Sequence, residues 1–299
     1  MTAYNITLFG IRFHINPIAF TLPIGSGWDI YWYGIIIATG FLLAILYGYK
    51  KAKDYSINTD RMTDIILITT PLALLCARIY YIIFDGTPIS SIKDFFGFGS
   101  SSGVSGIAIY GGVIGAIVFG TLASKLRKVN VLDMYDLSLT AFLIGQGIGR
   151  WGNFVNQEAY GTFTGSSFWG MQSERTIAEM GEGLVHPCFL YESIWCIAGF
   201  FVLNYISKHR KFSGQIALCY GIWYGFGRGF IELLRTDSLM LGNIKVSSLL
   251  SFVVCIACAA IMVKILKKQN DNKKEKDSDY KNVFSEVKSE EGETDEQTD

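Results

Sequence analysis

Five windows of this chain are long, apolar and free of charge: 30–49, 106–123, 137–149, 214–227 and 246–263. A helix that crosses a bilayer needs about 17–25 such residues, so three of these suffice alone and two need extension. Two more windows, 65–84 and 187–206, qualify once one buried charge in each, Arg78 and Glu192, is tolerated. Soluble core helices carry a polar stripe at helical spacing, and these windows do not. The pattern predicts an all-α polytopic membrane protein of about seven transmembrane helices. The expected spans are 30–49, 65–84, 106–123, 131–149, 187–206, 213–231 and 246–265. Composition agrees: 17% of residues are charged, below the roughly 25% usual in soluble domains.

The formal net charge of zero averages two unlike regions. Residues 271–299 hold 11 acids and 5 bases, which leaves 21 bases against 15 acids in the rest. That acidic end has almost no apolar residues, so residues 269–299 are expected to form a disordered, charged cytoplasmic tail. Residues 1–268 form the expected membrane-embedded catalytic domain. The first twenty residues lack the basic flank and small-residue cleavage site of a secretory signal, so the first span is expected to remain in the mature protein. All six cysteines lie in or beside apolar segments, where packing is a better reading than redox or metal chemistry.

Lysine and arginine cluster after every second span: Lys50, Lys51, Lys53 and Arg61; Lys125, Arg127 and Lys128; Lys208, Arg210 and Lys211; Lys264, Lys267 and Lys268. The positive-inside rule assigns these connections to the cytoplasm. The N-terminus is then outside and the C-terminus inside. Outside lie the connections after spans two and six and a long head segment, 150–186, with Trp151 and Trp169 suited to an interfacial belt. No internal repeat is visible, which counts against repeat-built transporters.

Arg78, Arg150, Arg228 and Arg235 break the charge rule, because they fall at the outer ends of spans. At 1.5 Å per helical residue, Arg78 lies ~20 Å and Arg228 ~21 Å from the inner ends of their spans, and Glu192 enters only ~9 Å from outside. Tyr33 and Tyr110 fall at the same level. Snorkelling to headgroups suits Arg235 and Arg78, and Arg228 with Glu232, four apart on one helical face, can form an ion pair. Ionisable groups buried in a membrane are nevertheless costly and usually face a polar cavity. Several guanidinium forks at the outer leaflet make a phosphate site, and a phospholipid headgroup supplies a phosphate at that depth.

The stretch GRWGNFVNQEAYG, 149–161, resembles the signature of the prolipoprotein diacylglyceryl transferase family. WYG (32–34), ARIYY (77–81), YGGVIG (110–115), HPCFLYE (186–192) and GRGFIELLR (227–235) extend the resemblance in family order. It implies transfer of the diacylglyceryl group of phosphatidylglycerol to the lipobox cysteine thiol of a prolipoprotein signal peptide, giving a thioether and glycerol phosphate. It implies a multi-pass protein of the bacterial plasma membrane with its site toward the outer leaflet. No metal, cofactor or nucleic-acid partner is implied. By motif match, Arg150, Arg228, Asn153 and Gly161 are expected to bind phosphatidylglycerol. Arg228, Tyr33, Asn153, Glu158, Glu232 and Tyr110 are the expected catalytic set.

The residue types suit that chemistry. Fixed positive charge on Arg150 and Arg228 in a dry site would stabilise a phosphate leaving group, with Glu158 and Glu232 orienting the arginines. Gly145, Gly147 and Gly149 suit close headgroup approach or helix packing equally. His186 suits capping or packing as well as catalysis. Two departures stand out: many family members carry histidine where this chain has Tyr110, a poor base near neutrality, and 242–251 lacks an expected glutamine. The rival reading is a seven-span transporter or receptor for a small anion. An intramembrane protease would need a paired Ser/His or two aspartates in facing spans, whereas Asp133 and Asp136 share one helix end.

Overall fold

The structure is a computed structural model that describes residues 3–23, 27–85, 95, 108–236, 238, 240–242 and 244–295, with side chains described as far as Lys274. It is mostly helical. The long helices are α1 (Trp32–Lys51), α2 (Thr59–Asp85), α3 (Ile109–Leu126), α4 (Val131–Val155), α6 (Cys188–Ser207), α7 (Gln215–Leu234) and α8 (Val246–Asp295); α5 (Glu174–Met180) is short. Among the described residues, five stretches are long and apolar enough to cross a membrane: Trp32–Tyr55, Thr59–Phe84, Ile109–Leu126, Cys188–Ser207 and Val246–Lys274. Their outward faces carry exposed Phe41, Leu46, Val253 and Ile256, an apolar surface that suits lipid and would be a liability in water. The connection expected outside after span two, with the first residues of span three, lies outside the described residues except at Phe95.

The expectation of an all-α protein needs correction. Strands β1 (Tyr4–Leu8) and β2 (Ile11–Ile15) pair through a Phe9–Gly10 turn in which both residues have positive φ, the twist-matched geometry for a two-residue hairpin. β5 (Met171–Ser173), from the head segment, adds to β1 in the order β2-β1-β5. Two further pairs are β3 (Ile18–Leu22) with β4 (Trp28–Tyr31) and β6 (Met240–Leu241) with β7 (Ile244–Lys245). Strands this short leave little trace beside windows of about twenty apolar residues. The N-terminal residues thus build the head together with 150–186. Ile6, Leu8, Phe154, Tyr160, Met171 and Phe189 form its buried core.

Helix packing explains the glycines. A Cβ at Gly40 on α1 would lie 3.2 Å from the Gly145 carbonyl oxygen of α4, and one at Gly147 would lie 2.7 Å from Ile197 on α6. A Cβ at Gly149 would lie 3.0 Å from Ile37. Small residues that let backbones approach are the usual glue between helices in lipid, and Gly40, Gly147 and Gly149 sit at such close contacts.

At the end of the bundle away from the head, a charged cluster fastens α4 to α7. Asp136 is fully buried and accepts from the backbone N–H groups of Gly214 (2.9 Å) and Ala217 (2.8 Å). It therefore caps the start of α7 from a neighbouring helix, satisfying donors that a helix N-terminus leaves open. Arg210 pairs with both Asp133 and Asp136 and lies over the Tyr55 ring at 4.5 Å. Beyond the membrane-length part of α8, the backbone stays helical to Asp295, through the segment expected to be disordered. Lysine and glutamate are good helix formers, and a helix pairs its backbone without outside help.

Candidate active site

The site begins where α4 ends. After Val155, Gln157 (φ 57°) and Ala159 (φ 58°) adopt left-handed conformations, each costing a non-glycine residue roughly 1–2 kcal/mol. Backbone bonds hold the turn: Glu158 N donates to Asn153 O at 2.7 Å, and Phe189 N to Ala159 O at 2.9 Å. Gly161 then passes through a slot that only glycine fits. A Cβ there would lie 2.7 Å from the Leu234 carbonyl oxygen and 2.9 Å from Cys188 Sγ. Gly161 N donates to His186 O (2.8 Å) and Thr162 N to Leu234 O (2.9 Å). The signature turn is thereby stitched to the starts of α6 and the end of α7.

Against this turn lies a continuous polar network. Glu192 of α6, 2% exposed, takes Arg150 Nε on one carboxylate oxygen and an Arg228 terminal nitrogen on the other. Arg228 also pairs with Glu232 one helical turn on, and Glu232 reaches Arg235 Nε at 3.8 Å. In the other direction, Arg150 donates to Asn153 Oδ1 (3.3 Å), and Asn153 Nδ2 donates to Glu158 Oε2 (3.2 Å). Glu158 then pairs with Arg175 at 3.5 Å, and Arg175 Nε donates to Glu179 at 2.8 Å. The Glu179 hydrogen bond raises the Arg175 pKa further, so this cation persists throughout the physiological range.

Chemically, the centre of this network holds three guanidiniums, Arg150, Arg228 and Arg235, against two buried carboxylates, Glu192 and Glu232. A buried carboxylate is tolerable only with such partners. The arginine side chains retain 12–20% exposure, so an anion can approach them. The forks are held before any ligand arrives, which is the arrangement that makes electrostatic stabilisation effective.

Most expected site residues meet here. Arg150, Asn153, Glu158, Arg228 and Glu232 are linked by the contacts above, and Tyr33 joins them sideways. Its ring packs on Gly152, where a Cβ would sit 2.7 Å from Tyr33 Cδ2. Gly161 belongs to the scaffold of the turn. Tyr110 points to α8: its hydroxyl lies 3.3 Å from Ser247 Oγ, while the adjacent Ser248 donates to Gly229 O on α7 at 2.8 Å. Of the two orienting carboxylates, Glu232 holds Arg228, whereas Glu158 holds Arg175 and Asn153. His186 sits in an aromatic group, 3.1 Å from the Tyr191 hydroxyl that also accepts from Trp169 Nε1. Arg78 does not snorkel free, since its Nε donates to Phe95 O at 2.7 Å.

Sequence reasoning assigned Glu192 no role, although its depth in an apolar span was the available signal. Arg175 carried no signal at all, because the head fold alone brings it to Glu158.

Residues 17–264 match the family model described as prolipoprotein diacylglyceryl transferase. A Clostridioides difficile (strain 630) protein named phosphatidylglycerol–prolipoprotein diacylglyceryl transferase is 40% identical over 263 residues, covering 86% of this chain and 98% of that protein. One of the same name from Clostridium novyi (strain NT) is 39% identical over 258 residues, covering 84% and 96%. Another from Limosilactobacillus reuteri (strain DSM 20016) is 40% identical over 266 residues, covering 85% and 92%. With the signature turn, the bridged arginines and matches of this extent in agreement, the chain belongs to the prolipoprotein diacylglyceryl transferase family.

Proposed function

We propose that the chain transfers the diacylglyceryl group of phosphatidylglycerol to the lipobox cysteine thiol of prolipoproteins. The carrying observation is the Arg150–Glu192–Arg228 bridge beside the signature turn. In the reaction a thiolate attacks the glycerol carbon bonded to the phosphate oxygen. The C–S bond forms, the C–O bond breaks, and its electron pair leaves with glycerol phosphate. Negative charge grows on that phosphate, and Arg150 and Arg228, positioned by Glu192 and Glu232, stabilise it. Asn153 donates to a phosphate or glycerol oxygen, and Tyr33 lines the same place. The arginine field also favours the thiolate of the incoming cysteine, so its proton can pass to water without a dedicated base.

The same reading makes the protein a seven-span enzyme of the bacterial plasma membrane, with its N-terminus and site on the outer side. The alternating basic clusters support that orientation. Purified protein, labelled phosphatidylglycerol and a lipobox peptide should yield a lipid-shifted thioether product. No product from well-folded protein would sink the proposal. A cysteine placed at position 170 should be labelled from outside intact cells and one at position 209 should not; reversed labelling would invert the orientation.

A further inference from the structure

The residues just before α1 build a surface that the transfer reaction does not use. In the β3–β4 pair, Phe20 lies opposite Ile30, Thr21 opposite Asp29 and Leu22 opposite Trp28. Side chains alternate across a strand, so Phe20, Leu22, Trp28 and Ile30 share one face. Thr21 and Asp29 share the other, where Thr21 Oγ1 donates to Asp29 Oδ1 at 2.6 Å. Two of the four apolar residues are bare, with Phe20 52% and Trp28 45% exposed, while Leu22 and Ile30 are half-buried. A two-stranded hairpin is marginal in water by itself, so a face of this kind needs a cover.

The covalent arrangement says which cover. β4 ends at Tyr31 and α1 starts at Trp32, leaving no slack, and Trp32 N donates back to Pro17 O at 3.0 Å. Trp28 therefore lies no more than ~13 Å from Trp32 at the rise of a strand, against a headgroup layer of roughly 5–8 Å on each side of the bilayer. α1 itself exposes Trp32 and Phe41 and is one of the membrane-length helices. Tryptophan at the end of a span is a residue of the headgroup level.

We propose that the β3–β4 hairpin is a membrane-interface anchor, with Phe20, Leu22, Trp28 and Ile30 set into the headgroup–acyl boundary and Thr21 and Asp29 turned to water. Its partner is the lipid surface itself, so it holds the head at a fixed height over the bundle. The test uses the full chain in proteoliposomes of phosphatidylglycerol and phosphatidylethanolamine, with benzoylphenylalanine placed singly at positions 20, 21, 28, 29 and 41. After illumination, lipid adducts are counted by mass spectrometry, with position 41 on α1 as the lipid-facing standard. Positions 20 and 28 should give lipid adducts near the level of position 41 and several-fold above positions 21 and 29. Adducts to the same chain or to a second copy at 20 and 28, or yields no higher than at 21 and 29, would overturn the anchor. If one site does not accept the probe, the pair on the other strand decides alone. Transfer activity is not the readout, so this outcome is independent of the proposed reaction.

Discussion

The two charged clusters at opposite ends of α4 and α7 use the same residue types to different effect. Away from the head, Arg210 meets Asp133 and Asp136, and the carboxylate surplus is spent on backbone donors at the start of α7. At the head, Glu192 and Glu232 are spent on arginine side chains, and Arg150 and Arg228 stay partly open. A cluster whose spare charge ends on the protein's own backbone is a fastening. One whose arginines stay partly exposed can receive an ion. Burial and ion pairing alone do not separate them; what the carboxylates are spent on, and whether the cations stay reachable, does.

The largest expected effect separates the clusters directly. Arg150→Lys and Arg228→Lys keep charge but lose the planar fork, and each should lower transfer by ~10²-fold, the scale seen when one stabilising donor is removed. Thermal unfolding in detergent should barely move. If both lysine variants turn over like the parent chain, the head cluster is a fastening too.

The mirror experiment is Asp136→Ala. It leaves Arg210 to Asp133 alone and strips two backbone N–H groups of α7 of their acceptor, so stability should fall by ~3 kcal/mol while activity per folded molecule stays within a few-fold. A normal melting curve with lost activity would erase the distinction. Arg175→Ala probes the rim of the head cluster, where the Glu158 contact is half-exposed and surface pairs count for little. A few-fold loss, partly rescued by Arg175→Lys, is expected in the peptide assay; a loss as large as that of Arg228→Lys would move Arg175 into the centre.

Tyr110→Phe should reduce activity partially and Tyr110→His should retain it. The pH–rate profile should rise with thiolate formation and keep its shape in Tyr110→Phe. A dead, well-folded Tyr110→Phe, with an ionisation that vanishes from the profile, would make Tyr110 the base. Smallest of all, truncation after Lys268 should leave transfer near normal, because the composition of the tail cannot bury a core. A large loss in an abundant, inserted variant would assign the tail a function.

The helices were legible because apolar windows report local hydration, and the ion pair Arg228–Glu232 because i, i+4 spacing is a property of one helix. The Arg150–Asn153 contact is local in the same way. Glu192 was visible as an anomaly but not as a bridge, since its partners come from α4 and α7 and their meeting depends on packing. The strands were not legible: β5 is three residues long and exists only because β1 presents an edge to it. Tyr110 shows the limit of motif matching, which carries a position over without saying what the new side chain touches.

The cap that Asp136 places on α7 also makes a measuring device. Asp136 and Arg150 are fourteen residues apart on α4, and Gly214 and Arg228 are fourteen apart along α7, ~21 Å in each helix. The helices are joined near both marks, by direct hydrogen bonds at one and through Glu192 at the other. They behave as two rails of equal gauge. One residue inserted between the marks of either rail would turn its arginine by about 100° and shift it by ~1.5 Å. The spacing of the two arginine forks is thus fixed from the far end of the bundle, by a contact that lies about 21 Å from them along each helix.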